Sequence, residues 1–245
     1  MMVPVAARRL VVALLVFAVV LGPNVATLWI ATPSASDVQA RVIDFTRHYG
    51  VVLLGPGDVP SLLAKAVVAT EDERFYTHHG IDSIGLARAV AYDASNRCLC
   101  QGGSTITEQL VKEVYLNGSD RGYNKMVDIV LALKVEGVLT KQQIMADYLS
   151  VITTGFGRRG VSAAACAYFQ APLQNLTLGQ YALLAGVTQA PSLYDPTVDP
   201  EAAEQRRSEV LALMISERYI TPAQALAANA EPVLVKGTQP NPACA

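Results

Sequence analysis

Apolar and polar positions alternate along this chain in two distinct regimes. Residues 10–31 form a run of 22 residues without a charge, and Arg8 and Arg9 stand just before it. An apolar run of that length crosses a hydrocarbon core of ~30 Å. The pattern predicts a transmembrane anchor over 10–31, with residues 1–9 in the cytoplasm and the remainder on the outer face. A cleaved signal peptide is the rival reading, because Leu10 to Leu21 resembles an h-region and Ser34, Ala35 and Ser36 supply small residues. Trp29, suited to a membrane interface, and the continuation of the run past Pro23 favour the retained anchor. Both readings export the body of the protein. Residues 32–58 read as a polar linker, within which Val51, Val52, Leu53 and Leu54, closed by Gly55, Pro56 and Gly57, suggest one strand.

After Pro60 the spacing turns helical. Leu62, Leu63, Ala66 and Val67 fall on one stripe, as an amphipathic helix requires. Ser61, Asp82, Thr140, Thr177, Asp199 and Thr221 each precede an alanine- and leucine-rich segment and are N-cap candidates. Pro200 and Pro222 occupy first helical positions, where the missing N–H costs nothing. Residues 83–93 predict a short amphipathic helix, packed on the core or lying in lipid headgroups. The expected body is mainly α over residues 59–230, followed by a tail at 231–245.

Composition narrows the function classes. A chain of 245 residues that is 51% hydrophobic can bury a sizeable core and is not a disordered tail protein. A net charge of -2 and a pI near 5.9 give no basic footprint, so nucleic acid is not an expected partner. Repeats and low-complexity segments are not evident. Export makes Cys98, Cys100, Cys166 and Cys244 candidates for disulfides. A bond between Cys98 and Cys100 would be strained, which directs each toward Cys166 or Cys244. A zinc site lacks a second closely spaced pair, and no metal ligand set is predicted.

The chemistry concentrates in residues 71–80, which hold three carboxylates, Arg74, two aromatics and two of the three histidines. The stripe that starts at Leu62 delivers Glu71 and Asp72 to a helix end, where a carboxylate can lose water on one side and still reach a cleft. A general acid or base belongs in such a place. The plain alternative is a solvated helix end with Phe75 and Tyr76 in the core. A second candidate lies at Gly102, Gly103, Ser104 and Thr105, where glycines and hydroxyls open a helix whose N–H groups suit an anion such as phosphate. Gln109 and Lys112 share a face of that helix. Here the plain alternatives are a capping box between Thr105 and Glu108 and an ion pair from Glu108 to Lys112.

The arrangement Glu-Asp-x-x-Phe-x-x-His-x-Gly at Glu71, Asp72, Phe75, His78 and Gly80, together with residues 102–107, resembles the peptidoglycan glycosyltransferases of family 51. Ile81-Asp82, Lys125 to Asp128, the segment 144–149, the glycines 155, 157 and 160, and the stretch 182–196 extend the similarity in order over residues 60 to 215. The resemblance implies a mainly α, lysozyme-like fold with a large helical lobe and a small membrane-proximal lobe. It also implies polymerisation of lipid II into glycan strands outside the cytoplasmic membrane. In that reaction a sugar hydroxyl attacks an anomeric carbon and polyprenyl pyrophosphate leaves. The same resemblance assigns Glu71 as general base, with Asp128 assisting at the donor phosphate directly or through a divalent ion, Mg or Mn. Lys112 and Lys125 would neutralise the pyrophosphate. Ser104, Thr105 and Gln109 would be its polar ligands, and Asp72 and Phe75 would belong to the substrate-binding motif. Lipid II, the growing strand, membrane lipid and cell-wall synthesis proteins are the implied partners.

Four positions depart from the family pattern. Glu108 stands for Gln, Glu113 for Asn, Asn124 for Arg and Asp128 for Glu, and Ser150 also replaces an Asn. The first three make the expected phosphate region more negative by about three charges, which opposes a dianionic leaving group unless Arg121 or another cation compensates. Asp128 is one methylene short of the family residue, and a misplacement of ~1 Å at a reacting centre can cost on the order of 10²-fold. Weakened or lost catalysis in a protein that still binds lipid II or a cell-wall partner is therefore the second reading. A lysozyme-like hydrolase or lytic transglycosylase is the third, and it leaves the lysines without a task. No Ser-x-x-Lys, Ser-x-Asn or Lys-Thr-Gly element of a transpeptidase is found, so a monofunctional protein is expected. His78 is as well suited to a structural hydrogen bond as to catalysis.

Overall fold

A computed structural model describes residues 26–96, 103–119, 121–155 and 157–233. Its helices are α1 (Val38–Tyr49), α2 (Ser61–Glu71), α3 (Ser83–Asn96), α4 (Ile106–Tyr115), α5 (Tyr123–Glu136), α6 (Lys141–Val151), α7 (Val161–Phe169), α8 (Leu178–Gln189), α9 (Pro200–Ser216) and α10 (Pro222–Asn229). Among the described residues the only β pairing is two isolated bridges, His79 with Ile81 and Thr153 with Arg159.

The helices pack in two groups. In one, α2 and α9 lie against α8, and α10 closes on α8 and α9. In the other, α4 rests on α1, α5 and α6. α7 touches both α6 and α8 and joins the groups. α8 is the hub of the first group because Tyr181, Ala182, Leu183, Leu184, Ala185 and Val187 are buried around its whole circumference. α4 is one-sided: Ile106, Leu110 and Val111 are buried, while Gln109 and Lys112 are only partly covered.

N-capping follows the predicted hydroxyls and carboxylates at most sites. Thr140, Thr177, Asp199 and Thr221 accept from the backbone N–H three residues on. Asp82 accepts likewise from Gly85 at 3.0 Å. Ser61 does not cap. α2 begins at Ser61 itself, and Pro60 takes the cap position without a side-chain bond.

Two further expectations are corrected. Residues 51–54 form no strand; Leu54, 3% exposed, gives its N–H to Ser150 Oγ at 2.9 Å. With a side-chain acceptor taking that donor, the segment has no neighbouring strand to pair with. The stretch read as a polar linker contains α1, whose Val38 and Val42 are fully buried against α4 and α6. Val38, Val42, Phe45 and Tyr49 recur at i, i+4, i+7 and i+11, a helical stripe that the polar residues between them obscured.

Residues 10–25 of the predicted anchor lie outside the described residues, and residues 26–31 are helical. No helix among the described residues is long and apolar enough to cross a membrane. Lys134 on α5 caps the carboxyl end of this helical stretch, donating to the carbonyls of Trp29 (2.7 Å), Thr32 (2.9 Å) and Pro33 (3.1 Å). Its ammonium also lies 5.1 Å from the Trp29 ring centroid. Cys166 is disulfide-bonded, and Cys98, Cys100 and Cys244 lie outside the described residues.

Candidate functional site

The site lies where α2 of one helix group meets α4 of the other. α2 ends at Glu71, and Asp72 follows with an extended backbone that stops the helix. The chain then turns back so that Gly80, at φ +80°, sits directly on α5; a Cβ there would come within 2.8 Å of the Leu133 backbone. The Gly80 carbonyl accepts from Thr105 Oγ1 at 2.7 Å, which ties the turn to the start of α4. A glycine with positive φ is required at this close approach.

Glu71 is partly buried and held by two helices. Gln109 Nε2 of α4 donates to its Oε2 at 2.7 Å, and Thr188 Oγ1 of α8 approaches its Oε1 at 3.5 Å. Desolvation raises the carboxyl above the ordinary glutamate range, and it outweighs the opposing effects of Gln109, Arg206, Thr188 and Lys112. A base of raised pKa close to a cleft takes a proton from a hydroxyl more readily than a free glutamate does.

Glu71, Asp72, Ser104 and Thr105 line one cavity of about 80 Å³, with Glu73, Asp82 and Arg88 also on its wall. Beside it, Lys125 Nζ donates to Ser104 Oγ (2.9 Å), Glu108 Oε1 (2.7 Å) and Asp128 Oδ2 (3.0 Å). Burial lowers the basicity of Lys125, but the two carboxylates win and its pKa is raised, so the ammonium stays charged. The arrangement joins a partly desolvated carboxylate to a cation across a hydroxyl-lined cleft. That is the equipment for removing a proton at one end and steadying an anion at the other.

Not every predicted site residue has a polar group free for a ligand in this cleft. Phe75 is fully buried among core side chains, with the Lys141 ammonium 4.4 Å from its ring centroid. Asp72 spends its oxygens internally: both lie 2.9 Å from His78 Nε2, and Oδ2 also accepts from the Ile106 N–H at 3.1 Å. His78 is thus engaged structurally. Thr105 is 2% exposed and forms a capping box with Glu108. Gln109 points at Glu71 and not at the anion end.

The anticipated charge excess is offset in part. Glu113 is paired with Arg159, whose guanidinium lies near the Phe45 and Tyr49 rings, so another cation than Arg121 compensates there. Glu108 pairs with Lys125, not with Lys112 one turn along its own helix. Residues that sequence reasoning passed over are Tyr148, Thr188 and Arg206. The first two fall inside the matched segments 144–149 and 182–196, whereas Arg206 carries no local signal. No group of three or more His, Cys, Asp or Glu side chains among the described residues is arranged to hold a metal ion.

The family model described as Transglycosylase matches residues 44–215. This chain belongs to the transglycosylase family. Within that family it is 44% identical over 179 residues to penicillin-binding protein 1A of Vibrio cholerae serotype O1, covering 73% of this chain and 22% of the relative. It is 43% identical over 177 residues to the protein of the same name from Haemophilus influenzae, covering 72% and 21%. The Aquifex aeolicus protein of that name is 38% identical over 220 residues, covering 87% of this chain and 30% of the relative. The transglycosylase chain therefore spans between about a fifth and a third of the length of these relatives. The match begins inside α1, so that helix is shared with the family in part.

Proposed function

We propose that this protein is a peptidoglycan glycosyltransferase that joins lipid II units into glycan strands and releases polyprenyl pyrophosphate. Glu71 is the general base for the attacking hydroxyl, and the Ser104, Lys125 and Asp128 cluster receives the departing pyrophosphate. Membership of the transglycosylase family supports the reaction class. The observation that carries the assignment of roles is the shared cleft: Glu71, with its raised pKa, and Ser104, bonded to Lys125, line one cavity. Lys112, close enough to act on Glu71 electrostatically, adds positive charge between the two ends. The helical lobes are read as lysozyme-like, residues 10–31 as the membrane anchor, and the cleft as opening on the outer face of the membrane. A divalent ion, if used, would be held by Asp128 with oxygens of the substrate.

The test is polymerisation of labelled lipid II by the detergent-solubilised protein, with products sized by gel. Glu71→Gln is expected to lower the rate by about 10²- to 10⁴-fold, as loss of a general base does. Strand formation undiminished in that variant removes Glu71 from the role.

One observation favours a weakened enzyme as second reading. Lys125 faces two carboxylates at 2.7 and 3.0 Å, so the lysine end of the cleft carries net negative charge before any pyrophosphate arrives. Binding of lipid II without strand formation by the parent protein is the outcome that selects this reading.

A further inference from the structure

Resting on the assignment of Glu71 as base, we infer that Tyr148 is a positioning residue: its hydroxyl fixes the side-chain amide of Gln109 in the orientation that presents an N–H to Glu71.

Tyr148 lies on α6, is fully buried, and donates its hydroxyl to Gln109 Oε1 at 3.3 Å. Gln109 in turn donates Nε2 to Glu71 Oε2 at 2.7 Å. The orientation of the amide follows from its two neighbours. Turned over, it would set a carbonyl oxygen against the carboxylate at that short distance, a repulsive contact, whereas the phenol can accept as well as donate; Glu71 therefore selects the orientation and the phenol, donating to Oε1, holds the amide in it. The bond from the phenol is long, and its effect is on orientation more than on binding energy. Burial keeps the phenol protonated well beyond its ordinary range, with the negative charge of Glu71 acting in the same direction, so Tyr148 remains a donor wherever the enzyme works. The three residues come from α2, α4 and α6, and the relay therefore spans both helix groups.

Other groups also face Glu71. Lys112 lies on the same helix as Gln109, Thr188 on α8 and Arg206 on α9, and all three favour the ionised carboxylate. Asp72 and Glu73 follow Glu71 in the chain and line the cleft with Asp82 and Arg88. Glu113, one turn beyond Gln109, acts on Tyr148 and is paired with Arg159. Of these, only Thr188 also bonds the Tyr148 hydroxyl, so removal of the phenolic oxygen touches Glu71 through Gln109 and through Thr188, and the double variant with Gln109→Leu separates the two routes.

The variant is Tyr148→Phe, which keeps the ring and the packing. Without the hydroxyl the amide loses its second anchor, its bond to the charged form of Glu71 weakens, and the Glu71 pKa rises. The acid limb of the kcat/KM profile for strand formation is expected to move up by about half a unit to one unit, the worth of one neutral hydrogen bond. At pH values above the limb the rate is largely retained, and below it the rate falls several-fold. Gln109→Leu is expected to move the limb by the same amount, and adding Tyr148→Phe to it moves the limb no further. The carboxyl carbon of Glu71, followed by ¹³C NMR titration of labelled protein, supplies a readout independent of turnover. A titration shift in Tyr148→Phe supports the relay even if no variant and no parent protein polymerises. An unchanged titration and acid limb, with or without a uniform loss of rate at every pH, overturns it.

Discussion

Glu108 is the residue at which local structure and chemistry compete most directly. One of its oxygens accepts the Thr105 N–H at 2.8 Å to close the capping box, and the other takes Lys125 at 2.7 Å. A glutamine keeps the cap and returns Lys125 to the anion. Glu108→Gln is accordingly expected to lower KM for lipid II by about 5-fold, the ~1 kcal/mol of one charge at 4 Å in water. Steady-state kinetics at low salt would check this, and an unchanged KM would show that Lys125 does not meet the pyrophosphate. Asp147 presents the opposite case, a buried carboxylate with no cation paired to it among the described residues. It accepts from the amides of Gln39 and Gln143, and burial raises it to about 6. A carboxyl raised in the folded state stabilises the fold fully below its unfolded value and withdraws that contribution as pH climbs through the folded one. Between about pH 4 and pH 6 the parent should therefore lose stability relative to Asp147→Asn, with a gap at neutral pH of roughly 2–3 kcal/mol. Thermal melts of both proteins across that range test the sign.

At the level of elements, the helices whose ends carry a hydroxyl or carboxylate cap were legible in the sequence, because capping is settled within four residues. α1 was not. Its apolar residues Val38, Val42, Phe45 and Tyr49 recur at helical spacing, but the polar residues between them read as a linker. The segment at 51–54 failed as a strand because a strand needs a partner and Leu54 finds Ser150 Oγ in its place. Lys134 shows how one element steers another: α5 holds Lys125 and Asp128 near one end and, nearer the other, grips the carbonyls that close the helix at residues 26–31. Lys134→Met is expected to speed amide hydrogen exchange at residues 29–33 by at least 10-fold while leaving α8 protected, because the contact is at the edge of the core. Equal exchange in both proteins would mean that the lysine is not the tether.

For the whole molecule, the core cluster among the described residues runs from Ala35 to Ala228. Protein lacking residues 1–31 is expected to keep its helical circular dichroism and to lose roughly 2–3 kcal/mol, chiefly with the burial of Leu28 and in small part with the exposed Lys134 contacts. It should no longer sediment with membranes. Retained sedimentation would place the membrane contact elsewhere on the surface. The amino-acid sequence by itself determined the family, the mainly α class, most helix starts, and the identity of Glu71, Ser104, Lys125 and Asp128 as the chemical groups of interest. Those features are local: ordered short motifs and capping residues are read within a few positions. The tertiary structure alone decided what each group touches. It turned Gln109 toward Glu71, gave Asp72 to His78 and the start of α4, sent Phe75 into the core, and matched Glu113 with Arg159. Apart from Asp72 with His78, six positions away, those pairings join residues tens of positions apart, and no periodicity or spacing along the chain encodes which side chains meet when two groups of helices close on one another.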